Sequence, residues 1–575
     1  MYIANIAIRN FRGISSLDWS PPKGLTSLIG PGDSCKTTIL DAIELVLTPK
    51  WNPPVSDNDF FNANKDLMVS IEATMGGLPL SLLLDRKFGQ NLRGISPEGI
   101  VNDEPHEGDE SALTIRFELN SDLEPTWAIV NDRLDEPRTI PARDRAEFGM
   151  AQFSGQPNSH FIWGRGSAIM AATSTEEEVN TVMVEAQRQI RDAIAGLSLD
   201  NLETGVSNAS AAAKKMGAGR VAGDMKAAMS ADTYGFRGVN ITLHSNGIPL
   251  ERSGLGTRRL VAIGLQELAI RPGAIILVDE IEGGLEPYRL RHLLRILRDR
   301  SSTVDDEISP STHQAFITTH SPVAIEELGT RSIHVVRRTE AGVVTIRPVP
   351  EDLQSIVRSS PESFLARRLM MCEGKTEIGL LLGVEKRWLT ETDGRSFAHM
   401  GVVLSLGGGT ETGSRAQSFS RLGYPVLIFA DSDVPLAPSS EDLVLEGIEV
   451  AVWPGSSATE TRVALDLPWA GFIDLYNLAA SYEGERTVCG SVCDVLGVDY
   501  ANGDGPHSWL ETINDETIRI AFAQTAKKRS WFKRVDRGID LGRLVDRNWD
   551  AMVGTDLMQT LEVVKQWVYV DDVAR

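Results

Sequence analysis

At 575 residues the chain is too long for one hydrophobic core and predicts two or more domains. Its 42% hydrophobic and 24% charged residues are ordinary for a globular protein, and no apolar run approaches the ~18 residues needed to span a bilayer. The formal net charge of −22 argues against binding nucleic acid through overall charge, so any such role falls to a local basic surface. The start, Met1 to Ile8, reads as a strand without a positively charged leader, so no signal peptide is expected and the expected compartment is the cytoplasm. Four cysteines are too few for a disulfide framework, and Cys489 and Cys493 have no second Cys or His pair nearby, so zinc is not expected.

From residue 1 to about 165 the pattern is strands and short helices broken by Gly, Pro, Asn and Asp turns. Within it, Thr26 to Thr38 reads as strand, loop and helix, and matches G-x-x-x-x-G-K-[ST] from Gly30 through Gly32 to Lys36 and Thr37. Cys35 stands where the last glycine belongs. Backbone N–H groups at a helix N-terminus cradle phosphates, which is why this chemistry needs a glycine-rich turn there. Lys36 is placed for the β- and γ-phosphates, the Thr37 hydroxyl for Mg²⁺, and Thr38 lies beside it. A side chain at position 35 either crowds the phosphates or alters the turn, so binding without rapid hydrolysis stays open.

From Thr173 to Met229 the composition shifts to Ala, Glu, Gln and Lys, with Val179, Val182, Val184 and Ile190 at helical spacing. This predicts a helical insertion, too short and too irregular in heptads for a long coiled coil. Strands and helices alternate again from 230 to 349. Ser253-Gly254-Leu255-Gly256-Thr257 opens a helix, and Ala274 to Val278 is an apolar strand ending in Asp279 and Glu280. Asp279 fits a Mg²⁺ partner and Glu280 the group that orients an attacking water. Gln314 to Ser321 is a further strand, ending in His320.

These four elements, in this order, resemble the RecF- and SMC-like ABC-type ATPases, as does the opening Ile8-Arg9-Asn10-Phe11-Arg12-Gly13-Ile14. The resemblance implies ATP with Mg²⁺ bound between two heads, Ser253 and Gly254 completing the partner's γ-phosphate site, His320 as switch residue, and a homodimer or larger homo-oligomer. The fold it implies is an α/β ATPase head over 1–172 and 230–349, with the helical insertion 173–229 as a dimerisation element.

Residues 350–364 are polar and read as a linker, and a second α/β unit is expected over 365–575, running into helices. Leu369 to Glu377 reads as an apolar strand, a turn at Gly374 and a helix. Glu373 falls at the strand's end, and Glu377, one helical turn on, can point back toward it. Pro425 to Asp433 is a buried strand ending in D-x-D, where residues i and i+2 of an extended segment face one way. Strand C-terminal ends gather on one edge of a parallel sheet. Carboxylates clustered there repel unless divalent Mg²⁺ or Mn²⁺ binds them. Taken singly, Glu373 and Glu377 also suit a helix N-terminus, and Asp431 and Asp433 suit a turn.

Together with the Gly407-Gly408-Gly409 turn, the two pairs resemble a Toprim fold. An ABC-type ATPase followed by Toprim resembles the overcoming lysogenization defect (OLD) nuclease family. That resemblance implies an ATP-regulated, metal-dependent endonuclease acting on double-stranded DNA through a two-metal site. Glu373, Asp431 and Asp433 would lie closest to the metals. Glu377 and Glu460, the latter in Thr459-Glu460, would complete the second site or act as base. Lys533, in Trp531-Phe532-Lys533, would offset charge at the scissile phosphate, with Lys527 or Lys528 able to replace it. Ser456 and Ser457 could support metal or water there. The surrounding run of cations and aromatics, Lys527 to Arg537, is then expected to face DNA. The family includes nuclease subunits of Gabija-type anti-phage systems, which work with a UvrD-like helicase. Trp531-Phe532-Lys533 and the overall length resemble that branch, so such a helicase is an implied partner. The alternative is a DNA-repair ATPase or sensor whose second unit does not cleave. No recognisable catalytic-tyrosine domain or zinc module supports a topoisomerase or a primase.

Overall fold

The structure, a computed structural model, describes the chain apart from residues 85–86, 135, 154–156, 164–166, 174–199, 219–224, 231–239, 270–272, 302–312, 498–514 and 570–575. It divides into two compact units, Met1–Pro348 and Val349–Arg575, both of α/β class. No helix among the described residues is long and apolar enough to cross a membrane.

The first unit holds two main sheets. In the outer one, strands Tyr2–Phe11, Ile14–Trp19, Val69–Gly76 and Glu110–Leu119 pair antiparallel. In the other the spatial order is Met150–Phe153, Ile275–Val278, Gln314–Thr318, Leu25–Ile29, Ile333–Arg338 and Val344–Pro348, all parallel except the last pair. Strands Leu25–Ile29, Ile275–Val278 and Gln314–Thr318 are buried at every position, as parallel strands covered on both faces are, and Ile275–Val278 accordingly reads as an unbroken apolar run. Helix Lys36–Leu47 lies in the same core as both sheets, burying Ile39, Leu40, Ile43, Val46 and Leu47. Residues 174–199 and 219–224 of the expected helical insertion fall outside the described residues. What is described of the rest is helix Asp200–Lys215 and strand Met225–Ser230, which pairs with Asn240–Ser245.

The second unit is built on a four-stranded parallel sheet in the order Val402–Leu406, Arg368–Cys372, Val426–Ala430, Glu449–Val452. The chain leaves the central strand Arg368–Cys372 for one neighbour, then returns to the other side. The switch point therefore lies between Arg368–Cys372 and Val426–Ala430, where an open α/β sheet forms a crevice at its carboxyl edge. Residues 350–364, expected as a linker, are instead part of this unit. They form helix Gln354–Ser359 flanked by 3₁₀ turns, Phe364 packs on Phe419, and the Ser363 hydroxyl donates to Ser405. Ser360 and Ser363 are buried in hydroxyl pairs, while the charged residues of the segment face solvent.

Helix Lys375–Glu391 crosses helix Val535–Arg547 at glycines from both sides. A Cβ on Gly379 would lie 2.6 Å from the Gly538 Cα, and one on Gly383 would lie 2.6 Å from the Gly542 Cα. Two G-x-x-x-G faces thus let the backbones touch. Gly383→Val should cost ~1–3 kcal/mol of stability through overpacking, seen as a lower midpoint in chemical denaturation. Gly490→Ala, in helix Glu485–Leu496 with open space at its Cβ, should instead stabilise by up to ~1 kcal/mol.

Candidate active sites

In the first unit the loop between Leu25–Ile29 and Lys36–Leu47 closes around Lys36. Its Nζ donates to the Gly30 carbonyl (3.1 Å), the Pro31 carbonyl (2.8 Å) and Ser34 Oγ (3.2 Å). Gly30 is required by crowding as well as by its φ of +150°, since a Cβ there would lie 2.5 Å from the Val336 carbonyl oxygen. Burial pulls the Lys36 pKa down to about 8, with Asp279 opposing. Thr37 Oγ1 donates toward both Asp279 oxygens (3.1 Å each), so two hard oxygen donors suited to Mg²⁺ stand side by side. Thr318 Oγ1 donates to Asp279 Oδ1 (2.5 Å) and accepts from the Glu280 N–H (2.8 Å).

Glu280 has a left-handed φ of 44°, and Arg259 props up this turn from below. Arg259 is only 8% exposed, and its guanidinium donates to the carbonyls of Asp279 (2.8 Å), Glu280 (2.7 Å) and Gly283 (3.2 Å). Arg259 lies on helix Leu255–Ala269, at whose start Ser253 and Gly254 sit. The helix opened by the predicted signature loop is thereby tied to the carboxylate turn. No side chain on that turn signals Arg259 in the sequence, because it bonds only carbonyls. The His320 N–H donates to Glu282 Oε1 (2.6 Å), and burial followed by the Lys36 charge lowers the His320 pKa. Gly30, Lys36, Thr37, Asp279, Glu280 and His320 thus form one neighbourhood. Thr38 follows Thr37 on the helix, Gly32 is in the loop, and Ser253 and Gly254 precede the helix that carries Arg259.

Cys35 adopts φ 70°, the left-handed conformation a glycine would supply, at a cost of ~1–2 kcal/mol for a side-chain-bearing residue. Its sulfur lies against Gly13, where a Cβ would come within 2.8 Å. The loop keeps the glycine-like turn and its thiol occupies the space that Gly13 leaves.

In the second unit the carboxylates meet at the sheet's switch point. Glu373 follows strand Arg368–Cys372 and its Oε2 accepts the Asp431 N–H (2.9 Å). Its carbonyl accepts from Gly408 and Gly409, in a turn with φ of 88° and 66° at those residues. Glu377, in the first turn of Lys375–Glu391, and Asp431 both reach Thr459 Oγ1, at 2.8 and 2.6 Å, and the Trp453 indole donates to that same oxygen (2.8 Å). A hydroxyl has one proton and two lone pairs. It can accept from Trp453 and donate to one carboxylate, so the other contact needs a proton on the second carboxyl. Burial, then the Asp431 charge, correspondingly raises the Glu377 pKa, and burial raises that of Asp431.

Glu460, on helix Thr459–Asp466, is 4% exposed, and its Oε1 has no hydrogen-bond partner. Burial and then Asp431 push its pKa up to about 7. Lys533 and Lys527 supply the opposing positive charge felt by Glu373 and Asp431, and Lys533 also acts on Glu460. The buried and orphaned Glu460 oxygen, and an oxygen-only donor set, fit a hard divalent cation. Among the described residues, however, no three His, Cys, Asp or Glu side chains stand in a ready-made coordinating group.

Two expectations change. Asp433, expected beside Asp431 at the metals, forms an ion pair with Lys527. The i, i+2 rule needs an extended chain, and the strand ends at Ala430 before a bend that Ser432 fastens to Ser457 through both hydroxyl and amide. Ser457 is a loop tie for that reason, and Ser456 sits beside it at φ 53°. Trp531 and Phe532 do not face solvent. Each is 1% exposed and packed in the unit's core, so they cannot stack on bases, while Lys528, Arg529 and Lys533 are exposed.

Comparison with known families covers the first unit. Residues 1–85 match the family model described as "AAA ATPase domain", and residues 236–326 match "AAA domain, putative AbiEii toxin, Type IV TA system". The chain carries an AAA-type ATPase domain. That class implies ATP with Mg²⁺ as its ligand, for which Thr37 and Asp279 supply adjacent oxygens. No curated protein matches the sequence. Three solved structures show distant likeness. An SMC head bound to the C-winged helix domain of ScpA is 16% identical, with a TM-score of 0.38, covering 61% of this chain and 99% of that one. The SMC head domain from Thermotoga maritima is 16% identical, with a TM-score of 0.31, covering 61% and 100%. An Smc head with an extended coiled coil, bound to the C-terminal domain of ScpA derived from Pyrococcus furiosus, is 14% identical, with a TM-score of 0.37, covering 62% and 99%.

Cys35→Gly should raise stability by ~1 kcal/mol in denaturant titration, because glycine adopts the same turn without a Cβ penalty. In the second unit, Thr459→Val should cost ~1–3 kcal/mol by leaving the Trp453 donor and two carboxylates without their shared partner. Thr459→Ser, which keeps the hydroxyl, should retain most of it.

Proposed function

We propose that the protein is an ATP-regulated, divalent-metal-dependent DNA endonuclease. The observation that carries this reading is the meeting of Glu373, Glu377, Asp431 and Glu460 at the switch point of the parallel sheet, with Lys527 and Lys533 alongside. Burying several carboxylates without matching cations is costly, several kcal/mol for each ion left unpaired, so a fold does not collect them for stability. Such perturbed groups in a crevice mark chemistry.

Mg²⁺ or Mn²⁺ held there by Glu373, Asp431, Glu377 and Glu460 would supply an activated water and charge neutralisation at a phosphodiester. The protein's own contribution is positional. Backbone amides of the Gly408–Gly409 turn fix Glu373, Thr459 orients Glu377 and Asp431, and burial keeps bulk water from Glu460. Lys533 is exposed and close enough to act on the cluster's charge, the place for a group that meets a substrate phosphate. Lys528 and Arg529 extend that cationic edge for double-stranded DNA.

The ATPase unit is read as the regulator, working as a homodimer or larger homo-oligomer. In support, Leu255 beside the Ser253–Gly254 loop and Tyr288 are exposed at 48% and 63%, apolar surface suited to a second head. A role in anti-phage defence beside a UvrD-like helicase is the narrowest form of this reading and rests on the resemblance to OLD-family nucleases.

Supercoiled plasmid incubated with the purified protein in Mg²⁺ or Mn²⁺ should be nicked or linearised. Glu373→Ala should reduce that rate by at least about a hundredfold, as loss of a metal-holding group does. Parallel reactions with ATP give the sign of regulation. Intact plasmid under every condition, alongside measurable ATP binding, would favour an ATPase or sensor with a non-cleaving second unit.

A further inference from the structure

We propose that Lys527 is a built-in counter-cation of the second unit, occupying Asp433 at the rim of the carboxylate cluster until a divalent cation displaces it. The inference rests on the nuclease reading and adds to it a competition for one ligand. Three observations carry it. Lys527 and Asp433 form an ion pair, and the lysine's charge also acts on Glu373 and Asp431. The four remaining carboxylates gather around Thr459 and the sheet edge, while the cluster lacks a ready-made coordinating group. Asp433 is the acid that the lysine neutralises.

The third observation concerns which parts can move. Lys527 occupies the last turn of helix Glu516–Arg529, which ends at Ser530 with φ 57°. Directly beyond it, Trp531 and Phe532 are buried in the core and anchor the backbone. The Lys527 side chain is 39% exposed, and Asp433 lies on a loop tied at Asp431 and Ser432. A swing of the side chain alone therefore releases Asp433, with no movement of the helix.

An ammonium brings one positive charge to the cluster's rim and no open coordination position. A divalent cation brings two charges and accepts several oxygens at once, so it competes for Asp433 successfully when the other carboxylates contribute. The displaced Lys527, on the exposed cationic edge with Lys528 and Arg529, is then available to a phosphate. Because the two events share one group, whatever engages Lys527 elsewhere tightens cation binding, and the reverse.

The test is Mn²⁺ binding to the full-length protein without nucleotide, followed by the electron paramagnetic resonance of free Mn²⁺. Sites lost in Glu373→Ala define the cluster. Lys527→Gln should bind Mn²⁺ there about two- to fivefold more tightly than the wild type, the scale of one partly exposed ion pair. In the Asp433→Asn background the same lysine change should have little effect, since no competition remains. Equal or weaker binding by Lys527→Gln, with the Glu373-dependent site intact, overturns this inference and leaves the nuclease reading standing. An undiminished effect in Asp433→Asn also overturns it, because the lysine would then act through its field alone. Absence of any Glu373-dependent Mn²⁺ site defeats the nuclease reading itself, and this inference with it.

Discussion

The second unit depends on one close approach. Helix Lys375–Glu391 carries Glu377 in its first turn, and helix Val535–Arg547 follows directly on the segment holding Lys533. Their crossing through Gly379, Gly383, Gly538 and Gly542 fixes how near an acid-bearing helix stands to a cation-bearing loop. The Thr376 hydroxyl donates to the Phe532 carbonyl (3.2 Å), fastening the two at the site end of the contact. Larger side chains at the crossing would separate the backbones, and the electrostatics of the cluster would change with them. Packing sets the charge geometry here.

The two units handle buried charge in opposite ways. Around Asp279 each group has its partner: Thr37 and Thr318 hydroxyls on the carboxylate, and the Arg259 guanidinium on the carbonyls of the same turn. The arrangement is satisfied before any nucleotide arrives, which suits a rigid platform for phosphates. Around Asp431 the demand exceeds the supply. One Thr459 hydroxyl serves two carboxylates, and a Glu460 oxygen has no partner. Arg519 does hold the carbonyls of Ala464 and Leu467, so the helix that presents Glu460 is well capped while its acid is not. A site that keeps its scaffold satisfied and its carboxylates short of partners is poised to take up positive charge.

Much of this was legible in the sequence because it is local. Buried strands flanked by turns locate Leu25–Ile29, Ile275–Val278, Arg368–Cys372 and Val426–Ala430, and the residues just past each strand follow by adjacency. What the sequence did not reveal is set by tertiary contacts. Arg259 bonds carbonyls, which leave no trace in side-chain pattern. The Gly379–Gly383 and Gly538–Gly542 pairs lie 155 or more positions apart in sequence and become informative only when brought face to face. Trp531 and Phe532 read as a surface because cations flank them, yet a helix ending at Ser530 turns these aromatics inward and leaves the lysines outside. Residues 350–364 read as a linker because hydroxyls look polar until Ser363 meets Ser405.

The substitution in the phosphate loop shows why a motif departure is best judged by its conformation. A glycine at the sixth position of the loop, counted from Gly30, is favoured by the left-handed backbone there, and Cys35 accepts that backbone at φ 70°. The room for its thiol comes from elsewhere in the chain, at Gly13, whose Cβ the sulfur would exclude. Arg338 reinforces the same corner by donating to the Gly13 carbonyl (2.7 Å). Position 35 and position 13 therefore form one packing unit, in which a side chain on the loop is matched by its absence on the first strand's turn. The cradle keeps its hydrogen bonds to Lys36, and the departure from the motif is absorbed as local strain and packing, outside the set of groups that would meet a phosphate.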